Sequence, residues 1–202
     1  MKKNVLTVLT VIGCAWTSFA QNTYNSQNGF WQRTTVEASY GYNLALAPTD
    51  GLEVSDYNGF RTLQLGVRVD IDNKWGVRGT YMNTSFQHKD FSDMGIKENK
   101  LVAEATYKIL DTSSKDPFQV LGHAGFGLGI INSEVLSGDD TVGIFQIGVM
   151  PEYKFTDQFA VYFDLTYMMN FSQNYAYSGL GMDNTTGSIL VPSIGLSYRL
   201  MK

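Results

Sequence analysis

From Thr34 onward, apolar and polar residues take turns along the chain. Val36, Ala38, Tyr40, Tyr42, Leu44 and Leu46 fall on one face of the first such stretch, and Glu37, Ser39, Gly41 and Asn43 on the other. A period of two belongs to a β-strand, whose successive side chains point to opposite sides. The pattern recurs seven times. Leu63, Leu65, Val67, Val69 and Ile71 alternate with Gln64, Gly66, Arg68 and Asp70. Trp75, Val77, Gly79 and Tyr81 alternate with Gly76, Arg78 and Thr80. Leu101, Ala103, Ala105, Tyr107 and Ile109 oppose Glu104, Thr106 and Lys108. Phe118, Val120, Ala124, Phe126, Leu128 and Ile130 oppose Gln119, His123, Gly125, Gly127 and Gly129. Phe145, Ile147, Val149, Tyr153 and Phe155 oppose Gln146, Gly148, Glu152 and Lys154. Phe159, Val161, Phe163, Leu165, Tyr167 and Met169 oppose Asp164, Thr166 and Asn170. The last stretch sets Ile194, Leu196, Tyr198 and Leu200 against Ser193, Gly195, Ser197 and Arg199.

Two kinds of connection separate these eight segments. Asp72 to Lys74 and Thr156 to Gln158 are tight turns, and Asp111 to Pro117 is short. Pro48 to Gly59, Gln87 to Asn99, Asn132 to Thr141 and Ser172 to Gly187 are longer and polar. Alternating short and long links put every long loop on one side, which predicts an all-β, eight-stranded antiparallel up-and-down transmembrane barrel over 34–202. The alternative is a soluble ligand-carrying barrel with the apolar face turned inward. Against it, the polar face is poor in Lys and Glu and rich in Gly, which suits a crowded lumen. Trp75, Tyr107, Phe118, Tyr153, Phe155, Phe159 and Tyr198 also gather at the short-turn end of the apolar face, as an interfacial aromatic girdle does. Pro151 and Pro192 are expected at bulges or strand ends, because a closed barrel has no free edge for them.

The first twenty residues change the address. Lys2 and Lys3 precede an apolar run from Val5 to Trp16, and Ser18-Phe19-Ala20 is a small-x-small cleavage site. This predicts a signal peptide over 1–20 and a short periplasmic segment over 21–33. Val11-Ile12-Gly13-Cys14 offers a second reading, in which Cys14 carries a lipid. With the cut after Ala20 the one cysteine of the chain leaves with the signal. What remains holds 13 basic and 19 acidic residues, a net charge of −6. That balance argues against a nucleic-acid partner, which needs a basic footprint. After the signal no apolar run approaches the length of a spanning helix, so any membrane crossing is made by strands.

The final segment resembles the C-terminal strand signal of outer-membrane barrels, with Gly195, Tyr198 and Leu200 in its key places, although Met201 and Lys202 follow where an aromatic usually ends the chain. Taken with Pro151-Glu152-Tyr153-Lys154-Phe155-Thr156-Asp157, the stretch from Thr34 to Lys202 resembles the OmpA-like family of small outer-membrane barrels. The resemblance implies a bacterial outer-membrane location. It further implies outer-membrane lipids and lipopolysaccharide around the barrel, and the barrel assembly machinery as a partner. No peptidoglycan-binding domain follows the eighth strand here, so the resemblance implies no wall anchoring of that kind.

The polar face carries the candidate chemistry. Glu37, Arg68, Asp70, Arg78, Glu104, Lys108, Glu152, Lys154, Asp164 and Arg199, five acids and five bases, all count into the half nearest the short turns. Buried charge is tolerable when paired. The expected pairs are Glu37 with Arg68 and Arg199, Arg78 with Glu104, and Asp164 with Arg199. This reads as an ion-pair plug in a filled lumen and hence a structural or surface-interaction role, with a narrow channel as the alternative and a lipid-modifying enzyme as a third. The enzyme reading lacks support, because neither His88 nor His123 is followed by the His-x-Ser arrangement of lipid A deacylases, and no catalytic residue is assigned. No cofactor or metal is expected. Asp139, Asp140 and Asp183 lack calcium-loop spacing. Tyr175, Tyr177 and Leu180 in the last long loop remain candidates for an external ligand.

Overall fold

The computed structural model describes residues 29–46, 57–88, 95–111, 117–133, 139–173 and 185–200. The signal segment with Cys14 and Ala20 lies outside the described residues, as do Tyr175, Tyr177, Leu180 and Asp183. For His88, Asp139 and Asp140 only the backbone is described.

A short 3-10 turn, Trp31–Arg33, leads into the strands. These are β1 (Thr34–Gly41), β2 (Leu44–Ala45), β3 (Tyr57–Asp70), β4 (Trp75–His88), β5 (Gly95–Asp111), β6 (Phe118–Ser133), β7 (Asp139–Lys154), β8 (Phe159–Gln173) and β9 (Thr185–Arg199). From β3 onward each pairs antiparallel with the next, and β1 pairs with both β3 and β9, so the sheet closes. β1 and β2 are two pieces of one barrel strand, since both run along β9 in one register, Gly41 opposite Ser193 and Leu44 opposite Leu190. The result is a closed eight-stranded antiparallel barrel.

The register fixes its shape. A path drawn straight across the strands from Val36 runs through Val67, Gly79, Ala103, Phe126, Phe145, Met169 and Ser188. It returns to the first strand at Leu46, whose N–H bonds the Ser188 carbonyl at 2.9 Å, ten residues above its start. Eight strands with that stagger tilt about 40° and form a cylinder of roughly 8 Å backbone radius, which side chains alone fill.

The inside-out distribution of side chains decides which face is which. Phe126 is 69% exposed and Ile194 62%, whereas Arg78 on the opposite face is 1% exposed. The apolar face is outermost, so the inward-apolar alternative fails. At the short-turn end the girdle is present as ring contacts, Trp75 on Tyr107 at 4.7 Å and Phe159 on Tyr198 at 4.8 Å. The two tight turns use one device. Asp72 Oδ1 accepts the N–H groups of Lys74 and Trp75, each at 2.7 Å, and Thr156 Oγ1 accepts those of Gln158 and Phe159 at 3.2 and 2.9 Å. The two backbone donors hold the Asp72 carboxyl below the usual carboxylate range.

Two expectations are corrected. Strand extends into the long connections from both ends, because β4 and β5 pair as far as Gln87 with Gly95 and β6 and β7 as far as Asn132 with Asp139. Cross-strand pairing there outweighs the polar composition that suggested loop. The prolines sit inside strands, not at bulges or ends. Val120–Pro151 and Leu165–Pro192 are ordinary ladder partners on one side of each proline. On the other side the ladder is interrupted, between Val149 and Glu152 along β8 and between Gly41 and Leu44 along β9. Pro192 still accepts from the Tyr42 N–H at 3.0 Å but has no N–H to return, which is where the first strand divides into β1 and β2.

Candidate functional site: the barrel lumen

Lumen-facing positions of several strands converge on Arg78 of β4. Its Nε meets Glu37 of β1 at 2.7 Å, and its Nη1 meets Asp164 of β8 at 3.3 Å and Glu104 of β5 at 3.5 Å. Arg68 of β3 bridges Glu37 at 3.1 Å and Glu152 of β7 at 3.0 Å. Hydroxyls and an amide add further bonds to these carboxylates. Thr80 donates to Glu104 and Thr166 to Asp164, both at 2.7 Å, and Gln119 donates to Glu152. A guanidinium has five donors in a planar fork, so one Arg serves three acids from three strands where a Lys would serve fewer.

His123 of β6 completes this hub. Its Nδ1 faces Glu104, and its Nε2 faces Asp164 at 3.1 Å. A neutral imidazole has one N–H and a carboxylate only accepts, so the arrangement requires an imidazolium or one protonated carboxyl. Both ring nitrogens are thus engaged with carboxylates from two strands, β5 and β8. Among the described residues, no cluster of His, Cys, Asp or Glu has the arrangement of a metal site.

Glycine makes the room. Each of several large lumen side chains stands directly opposite a glycine on the next strand: Glu37 opposite Gly66, Glu104 opposite Gly125, His123 opposite Gly148 and Tyr162 opposite Gly195. A Cβ on Gly148 would collide with the His123 ring and with the Leu165 carbonyl at 2.8 Å. One on Gly195 would meet the Tyr162 ring and the Ala38 carbonyl at 2.6 Å. Gly195 therefore has a packing reason to be glycine, independent of any assembly signal. Tyr198 of that signal faces outward onto Phe159, and the Leu200 N–H bonds the Thr34 carbonyl at 2.9 Å.

Of the ten charges picked out in the sequence, Glu37, Arg68, Arg78, Glu104, Glu152 and Asp164 meet in the hub. Asp70, Lys108, Lys154 and Arg199 lie below it, at the short-turn mouth. Arg199 bonds Asp70 at 2.6 Å, and Lys108 stands 3.7 Å from the same oxygen. The expected pairing of Arg199 with Asp164 or Glu37 does not form. Asp164 is opposite Ser193, six residues up β9 from Arg199, about 20 Å away. Glu37 is opposite Ser197, and Arg199 is opposite Thr35.

Three features escaped the sequence reading. His123, placed on the polar face but left out of the charge network, is a hub member. A buried pair, Lys100 with Glu98 at 2.6 Å, lies in the outer half, where no lumen charge was expected. Above the hub, Met82, Val102, Ile131, Val142, Ile144 and Met168 form a fully buried apolar cluster inside the barrel. Their strand parity marked them as inward, and only their chemistry argued for the lipid face.

No protein-family model matches the sequence, and no curated protein matches it. Solved structures do. Neisserial surface protein A has a TM-score of 0.53 at 17% identity, over 83% of this chain and 97% of that one. A major outer membrane protein from Thermus thermophilus has 0.53 at 11%, over 82% and 98%. The N-terminal β-barrel domain of Pseudomonas aeruginosa OprF has 0.50 at 12%, over 84% and 100%. These neighbours are bacterial outer-membrane barrel proteins, and the fold of this chain is that of the small outer-membrane barrels.

Proposed function

We propose that this protein is a structural or surface-interaction barrel of the bacterial outer membrane, closed to ions rather than catalytic or conducting. One observation carries the reading: the lumen is filled twice over. The Arg78 side chain sits in the hub with no solvent exposure, and Ile131 and Val142 of the apolar cluster are likewise 0% exposed. An ion crossing the barrel would have to break the hub and then enter a layer with nothing to solvate it. The outward apolar face contacts outer-membrane lipid, with lipopolysaccharide on the side of the long connections. Gly195, Tyr198 and Leu200 are the segment offered to the assembly machinery, and an external ligand would be met by the long connections.

The test is planar-bilayer recording of the protein refolded from detergent, with lipid A mass analysis of cells expressing it. Absent or sub-pore currents and unchanged lipid A fit the closed barrel. Steady single-channel currents establish the channel, and a shortened or extended lipid A establishes an enzyme.

A further inference from the structure

One patch of the lipid face is covered. On β3 the outward residue Val67 is 38% exposed, yet Val69, next in the same row, is only 8% exposed. Its cross-strand partner Thr34, the first residue of β1, is 3% exposed, whereas Val36 two residues on is open again. The short turn before β1 accounts for this. Thr34 Oγ1 donates back to the Phe30 carbonyl at 3.0 Å, and Arg33 Nη1 donates across to the Ile71 carbonyl, just past β3, at 3.2 Å. The N–H groups of Gln32 and Arg33 bond the carbonyls of Gly29 and Phe30, both at 3.1 Å. Residues 29–33 therefore do not run beneath the lumen. They lie against the outside of the barrel, over the Thr34–Val69 pair.

What the turn presents is aromatic. Phe30 and Trp31 are 43% and 55% exposed, and their rings meet edge to face with centroids 5.4 Å apart. The girdle explains their place. Strands β4 to β9 each bring an aromatic to the short-turn end of the lipid face: Trp75, Tyr107, Phe118, Tyr153, Phe159 and Tyr198. At that end β1 and β3 bring Thr34 and Val69 instead. Val36, two residues above Thr34, is opposite Tyr198, and Val77, two residues above Trp75, continues the row of Thr34 and Val69. With tilted strands, that register puts Thr34, Trp75 and Tyr198 level to within about 5 Å. The turn thus sets Phe30 and Trp31 in the arc of the girdle that the strands themselves leave without an aromatic.

We propose that Phe30 and Trp31 insert into the phospholipid interface of the inner leaflet, as a foot that closes the girdle across β1 and β3. Trp favours that depth because its ring is apolar and its N–H is wet at the headgroup level. The occupant follows from continuity, since the same belt of lipid already meets Trp75 on one side of the arc and Tyr198 on the other. The chain ahead of Gly29 is then delivered along the inner leaflet rather than into the barrel mouth. The proposal rests on the outer-membrane location and is independent of whether the lumen conducts.

The experiment makes Trp31 the sole tryptophan by Trp16→Phe and Trp75→Phe, since the chain has three. The full chain is folded into phosphatidylcholine vesicles, and heat-modifiability on electrophoresis verifies each variant. Trp31 fluorescence is then quenched from the lipid side, with phosphatidylcholine brominated near the headgroup or near the chain ends, and from the water side with iodide. Stronger quenching by the headgroup-proximal bromine is expected, with iodide quenching several-fold weaker than for the chain unfolded in urea. Thr34→Val cuts the bond to the Phe30 carbonyl, and Phe30→Ser removes the neighbouring ring. Each should lessen lipid quenching and raise iodide quenching. If the double background does not fold, the difference between the parent and Trp31→Phe gives the same reading. Iodide quenching as in the unfolded chain, with no response to brominated lipid, overturns the foot and makes the two rings a water-side face for a periplasmic partner. Strongest quenching by the chain-end bromine overturns the interfacial placement. Lipid quenching untouched by both Thr34→Val and Phe30→Ser overturns the turn as what seats Trp31.

Discussion

Near the short turns the lumen is held by Arg68, Arg78, His123 and four carboxylates, and a few residues higher by Met82, Val102, Ile144 and Met168. Both regions are equally dry, yet they hold the wall in different ways. In the hub, each charge is tolerable only while its partners stay, so the geometry is specific and brittle. In the apolar layer, the contacts are many, small and interchangeable, and a lost methylene costs in proportion to the space it leaves. The charged layer fixes which strand lies where, and the apolar layer excludes water above it.

The largest effect should therefore come from the hub. Arg78→Met leaves Glu37, Glu104 and Asp164 without their shared cation, and an expected loss of about 3–5 kcal/mol is to be measured by urea unfolding in detergent. Arg199→Ala, at the mouth and a third exposed, should cost only about 0–1 kcal/mol, because Asp70 keeps Lys108. Equal losses from these two substitutions would erase the distinction between hub and mouth.

Next in size is the apolar layer. Met168→Ala should cost about 2–4 kcal/mol in the same assay, graded by cavity volume. Refilling the space with Leu should restore most of it, which no neutral residue should do at Arg78.

Glycines on the two faces of β7 sharpen the contrast further. Gly148→Ala pushes a methyl against the His123 ring and should cost about 1–3 kcal/mol. Gly143→Ala meets only Phe171 at 3.7 Å and should be neutral or stabilising by up to about 1 kcal/mol. Heat-modifiability on electrophoresis ranks the pair.

The smallest effect belongs to the turns. Because the folded-state pKa of Asp72 is depressed, its contribution is present above the ordinary carboxylate value and fades as pH falls through the folded one. The stability gap between the parent and Asp72→Ala should shrink on acidification. The gap for Thr156→Ala should not, since a hydroxyl does not titrate there. A pH-independent Asp72→Ala gap would remove the backbone-bonded carboxylate from the account.

Alternation of side chains is a local property of extended backbone, so strand number, the short turns and the outward aromatic girdle were all legible along the chain. Glu37, Arg68, Arg78 and Asp164 were legible as lumen residues for the same reason, as was the need to pair them. The partners were not. Whether Arg199 reaches Asp164 depends on the register of β8 against β9 across a long connection, and whether Arg78 of β4 meets Asp164 of β8 depends on closure of the barrel with a stagger of ten residues; no local pattern encodes either. The apolar lumen layer was hidden for a related reason. Met82 and Met168 stand at inward parity, but hydrophobicity alone cannot tell a lipid-facing methionine from one buried among its own strands. Only closure of the sheet, which brings distant inward positions within van der Waals contact, turned those residues into a core and Arg78 into its keystone.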